Sequence, residues 1–92
     1  MKIEQIEIYS DASNLAVMRH PGRKFPGSLI QGDSLSVLVK EARELHEALK
    51  LSGDNDLVAL AEMHREKLED RLAVYEKALL EHGISLPYTR GA

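Results

Sequence analysis

The chain has no cysteine, which excludes a disulfide framework, a thiolate metal site and a thiol nucleophile together. Any chemistry must come from histidine, carboxylates or hydroxyls. Long apolar runs are missing too, and the N-terminal MKIEQIEIYS alternates acids with isoleucines where a leader would carry cations and then an apolar stretch. The chain therefore reads as soluble and cytoplasmic, with no signal peptide and no membrane span. Acids outnumber Lys and Arg 15 to 12, a formal charge of −3, which argues against phosphate binding by the molecule as a whole but leaves room for a local basic patch.

What is present is enough for one core. With 92 residues and 43% apolar side chains, a single domain over 1–92 is expected, of modest stability because a chain this short buries only roughly 60 to 65% of its unfolded surface. Ile3, Ile6 and Ile8 alternate with polar residues and predict a strand over about 2–9. Turn residues follow at 10–14, a second strand is expected over 14–18 before Pro21-Gly22, and a third over 28–31 before Gly32-Asp33.

From Asp33 the period changes. Leu35, Leu38, Ala42, Leu45, Ala48 and Leu49 mark a helix over 34–51, with Asp33 or Ser34 as N-cap and Ser52-Gly53 as its stop. Leu57, Leu60, Ala61, His64, Leu68, Leu72, Tyr75 and Leu79 mark a second helix over 56–82, opened by Asp54-Asn55 and ended by Gly83. The expected fold is α+β, a small antiparallel three-stranded sheet packed on an antiparallel two-helix hairpin. The second helix, about 40 Å against about 25 Å for the first, overhangs its partner. Either the tail covers that end, through Ile84 and Leu86, or a second chain does, in a homodimer through Leu72, Tyr75 and Leu79.

Two clusters are candidate binding sites. Arg19, His20, Arg23 and Lys24 in the 19–27 loop have no acid among them and can hold an anion or a partner, with Gly22 and Gly27 allowing close backbone approach. The plainer reading is a rigid connector shaped by Pro and Gly, with Phe25 plugging the edge of the core. On the long helix Glu62, Glu66, Glu69, Asp70 and Glu76 gather opposite the apolar stripe, either as a solvated face or as a ridge that docks a cationic partner. No HExxH or comparable His pair exists, so no metal or cofactor is expected. His64 is expected as a packed core residue near His46, and His82 as a helix C-terminal residue.

The stretch RHPGRKFPGSLIQGDSL, residues 19–35, resembles the shared R-x-P-G-R-x-F-P-G-x-L-I-Q-G-D-x-L run of a family of small bacterial proteins of unassigned function. The resemblance covers about a fifth of the chain and brings no active site with it. Proteins of this sort are similar in size and charge to the immunity partners of contact-dependent growth-inhibition toxins, which bind the toxin domain in the cytoplasm. It implies a non-enzymatic antitoxin that forms a stoichiometric complex with a toxin domain such as a nuclease. The alternatives are a small regulatory protein that binds nucleic acid or an anion through the 19–27 loop, disfavoured by net charge, and a dimeric structural module. In the non-enzymatic reading the turns and the entry to the first helix explain the Pro and Gly residues, and Arg19 and Arg23 are available to pair with Asp33 or the C-terminal carboxylate.

Overall fold

A computed structural model describes residues 1–90. The fold is α+β, and the described residues form three short strands and two helices in the order β1 (Glu7–Ser10), β2 (Val17–Arg19), β3 (Gly27–Ser28), α1 (Gly32–Lys50) and α2 (Asn55–Glu81). The chain divides into two compact units, Met1–Gln31 and the segment from Gly32 onward.

In the first unit the strands pair antiparallel in the order β1-β2-β3. They are shorter than the alternation predicts: residues 2–6 and 14–16 lie outside the ladder, and β3 ends at Ser28 where 28–31 was expected. One reason is a register shift between Ile8 and Ser10, which consumes a residue and bends β1. The connections behave as their residues dictate. Asn14 takes a left-handed conformation at φ 58°, and the Leu15 amide donates to the Ala12 carbonyl. Pro21-Gly22 forms a turn in which the Arg23 amide donates to the His20 carbonyl at 3.0 Å, with Gly22 at φ 85°, as position i+2 of a type II turn requires.

Pairing places Ile8 opposite Met18 and Met18 opposite Gly27, while Glu7 pairs with Arg19 and Val17 with Ser28. Because successive residues of a strand face opposite sides, one face carries Ile8, Met18 and Gly27 and the other carries Glu7, Arg19 and Ser28.

The second unit is a helical hairpin. Its closing loop is built from side-chain caps: Ser52 Oγ donates to the Leu49 carbonyl, and the Asp54 carboxylate accepts from the Asp56 and Leu57 amides at 3.1 Å. α2 ends where Gly83 was expected to end it. His82 is the C-cap, and Gly83 at φ 65° lets its own amide reach the Leu80 carbonyl and the Ile84 amide reach that of Leu79, the paired bonds of a Schellman motif. α1 begins earlier than expected, at Gly32, so that Asp33 and Ser34 lie in its first turn.

The seam between the helices differs from the predicted stripe. The inward positions of α1 are Gly32, Leu35, Val39, Ala42, His46 and Leu49, and those of α2 are Val58, Ala61, Arg65, Leu68, Leu72, Tyr75 and Leu79, all buried or half-buried. Both sets step by three and four residues, the heptad spacing of a left-handed coiled coil. Leu38, Leu45, Leu57 and Leu60, expected inside, stand one position off the seam and are 41 to 56% exposed. Gly32 leaves room on the seam for the ring of Tyr75, and small residues also stand there at Ala42 and Ala61, so steric fit between the helices, not the number of leucines, sets the buried face.

At the far end of α2 the tail takes the role left open by the sequence. The Tyr88 hydroxyl donates to Glu76 at 2.8 Å, Arg90 reaches the same carboxylate at 3.3 Å, and Leu86 is half-buried. Ile84 remains 53% exposed. Leu72 is buried inside the hairpin and Tyr75 stands against Gly32, so these side chains are engaged within the chain.

Candidate functional site

The cations of the 19–27 loop do not act alike. Arg19 forms an ion pair and hydrogen bond with Glu7 on the neighbouring strand, and its guanidinium also donates to the Arg23 carbonyl at 2.9 Å. Arg19 is therefore a brace that fixes the loop to the sheet. Its hydrogen bonds hold the Glu7 carboxyl below the ordinary carboxylate range, and the same contact raises the Arg19 pKa. The Asp33 carboxylate, one acceptor expected for Arg19 and Arg23, accepts from the Ser34 amide at 2.8 Å; the other, the C-terminal carboxylate, lies outside the described residues.

Arg23 and Lys24 have no carboxylate within ion-pair distance among the described residues. Lys24 Nζ lies 5.5 Å from the centre of the Phe25 ring, within cation–π range. His20 donates from Nδ1 to the Pro21 carbonyl at 2.7 Å. Phe25 does not plug a core: it is 72% exposed.

These residues border a groove of about 560 Å³ on the first unit, lined by Ile6, Met18, His20, Arg23, Lys24, Phe25, Gly27, Ser28 and Leu29. Its floor is the apolar face of the sheet and its rim is the basic loop. The volume lies within the range of roughly 300 to 1,000 Å³ of ligand sites. Gly27, one of the lining residues, follows Pro26 in an open strand position: a Cβ built there meets nothing within 4 Å. The sequence reading named Gly27 for close backbone approach but missed Ile6, Met18, Ser28 and Leu29 as lining residues. The available signal was the glycine at a face position of a strand, which marks a place kept open.

The acidic ridge of α2 is largely occupied. Arg65, on the seam, reaches Glu62, Glu66 and Glu69 at 3.9, 3.7 and 3.1 Å. Arg43 of α1 donates to Glu69 from two nitrogens, at 2.8 and 2.9 Å. Glu76, with a side chain only 14% exposed, holds the tail. Asp70 alone of the five has no ion pair among the described residues. Of the predicted ridge, the structure keeps Glu62, Glu66 and Asp70 at the surface and gives Glu69 and Glu76 intramolecular work.

A second hollow of about 450 Å³ lies where the tail crosses the hairpin, lined by Ser36, Lys40, Arg43, Glu76, Tyr88, Arg90 and their neighbours. Burial and the Glu76 carboxylate push the Tyr88 hydroxyl up to about 12.

The histidines exchange the roles expected of them. His64 is exposed, whereas His46 is 4% exposed on the α1 seam, with Nδ1 unpartnered among the described residues. His82 donates to the Ala78 carbonyl at 2.8 Å, at the helix end where it was expected. Among the described residues no three His, Asp or Glu side chains are grouped to hold a metal ion, and no helix is long and apolar enough to cross a membrane.

Comparison with known proteins gives a family and little else. A family model described as "Family of unknown function (DUF6959)" matches residues 1–88. No curated protein and no solved structure matches.

Proposed function

The chain belongs to this family of unknown function, and from that premise we propose that it acts without turnover, by forming a stoichiometric complex with another protein. In its specific form the proposal is an immunity protein that neutralises a toxin domain, such as a nuclease, in the cytoplasm. One observation carries the reading. Among the described residues the buried apolar side chains are Leu35, Val39, Ala61 and Leu72, all in the hairpin, while Ile8, Phe25 and Leu29 of the first unit are 54, 72 and 46% exposed. A chain that leaves this much apolar surface facing water gains stability by covering it with a partner, and a concave apolar surface with a polar rim is how protein-binding sites are built. The loop cations and the surface acids Glu62, Glu66 and Asp70 then serve partner choice and association rate.

The test is co-expression of the tagged chain with the product of the adjacent gene, followed by measurement of complex mass and of growth. A one-to-one complex that protects cells from the neighbour's toxicity is the expected result. Free elution of this chain, with no protection, overturns the immunity reading.

A further inference from the structure

We propose that the groove of the first unit binds a segment of the partner in which apolar side chains are flanked by carboxylates, an acidic peptide docked with its apolar residues on the sheet face. The inference rests on the protein-binding reading and names the chemistry of the contact.

Three features of the groove select this occupant. The floor is apolar, formed by Ile6, Met18 and Leu29, and Phe25 stands beside it, so the ligand must offer apolar side chains to cover them. At the rim, Arg23 and Lys24 carry charges that no carboxylate among the described residues answers within ion-pair distance, and Glu7 is paired with Arg19 on the opposite face. A cationic ligand would meet uncompensated like charge there; an acidic one would complete two ion pairs. The Arg19 brace to Glu7 and to the Arg23 carbonyl holds the loop before binding, so little ordering is left to oppose association.

The third feature is the short edge strand. Gly27 and Ser28 line the groove and close the sheet, whose order β1-β2-β3 leaves β3 with one neighbour. An edge of this kind accepts a peptide in extended form, with alternate side chains directed to the floor. Gly27 is where such a peptide would approach most closely, and the open space at its Cβ position is the volume the ligand fills.

That space also supplies the test. A Cβ at residue 27 meets nothing within 4 Å and the backbone there lies outside the left-handed region, so Gly27→Leu is expected to keep the fold while adding bulk at a residue that lines the groove. The full-length protein is probed on two arrays of short peptides, one combining Glu or Asp with Leu or Phe in varied order, the other with Lys or Arg in place of the acids. Expected are binding to acidic peptides only, weakening with salt, and a loss of at least about tenfold in Gly27→Leu and in Arg23→Glu with Lys24→Glu. Circular dichroism confirms that the variants are folded. Failure of the acidic array, equal binding of both arrays, or indifference to Gly27→Leu overturns the proposal. So does self-association abolished by Gly27→Leu, which would assign the groove to a second copy, or retention of RNA by Arg23 and Lys24. If the one-to-one complex forms but ignores Gly27→Leu, the protein-binding reading stands and this inference falls; if acidic peptides bind but no neighbour is protected, this inference stands and the immunity reading falls.

Discussion

Gly32 and Tyr75 share one layer of the hairpin, and the phenol ring occupies the place of a side chain on residue 32: a Cβ built there would overlap Cζ, Cε1 and the hydroxyl oxygen of Tyr75. The glycine at the start of α1 is therefore a packing position. Gly32→Ala should destabilise the protein by about 1 to 3 kcal/mol through overpacking, read from the urea midpoint. Helix propensity alone predicts the opposite sign. Tyr75→Leu should relieve part of the cost, giving a double-mutant cycle that departs from additivity by at least about 0.5 kcal/mol.

The acids of α2 should separate by partner, whatever their similarity in sequence. Glu69→Gln removes the carboxylate shared by Arg43 and Arg65 and should cost about 1 kcal/mol, less at high salt. Asp70→Asn should stay within about 0.5 kcal/mol. Equal effects in thermal unfolding would mean that the Arg43 bridge contributes nothing to the hairpin.

Tyr88 gives the tail a pH dependence. Its folded pKa of about 12 lies above the ordinary value near 10, so the neutral phenol is the form that folding favours. That stabilisation is complete below pH 10 and is lost as pH rises through 12. Ultraviolet titration should show one tyrosine ionising late, and Tyr88→Phe should delete that phase. A titration with every tyrosine near pH 10 would detach the tail from Glu76.

His46 should be replaceable at a gain. Its Nδ1 has no partner among the described residues on a seam position that is 4% exposed, and burying a polar atom unpaired is costly. His46→Leu should stabilise the hairpin by about 1 to 2 kcal/mol in urea unfolding. Destabilisation would show that the imidazole is satisfied in solution.

Much of the fold was legible because its signals are local. Asp54 caps α2, and Gly83 ends it with a left-handed turn, as residue type and position alone require. Pro21-Gly22 likewise gives its turn. The face of each helix was less legible: weighing leucines put Leu38, Leu45 and Leu57 inside, whereas Val39, His46 and Val58 are there. A rotation of one residue changes periodicity very little, and it is decided by how side chains such as Tyr75 fit against small positions such as Gly32 on the facing helix. The same cause exchanged His64 for His46.

The candidate site was legible only in part. The loop cations were visible in sequence, but the division of labour between Arg19, a brace, and Arg23 with Lys24, unpaired, depends on which acid the sheet brings alongside, and Glu7 is twelve residues away. The groove floor required the pairing of Met18 with Ile8 and Gly27.

By itself the sequence determined the class of fold, the order of its elements, the caps of the second helix and the Pro21-Gly22 turn, because each follows from backbone preference and hydrogen bonding within a few residues. Tertiary structure alone decided the seam of the hairpin, the use of Glu69 and Glu76, the burial of His46 and the open groove beside Gly27. Those features depend on the steric fit and charge of residues distant in the chain, which no local periodicity encodes.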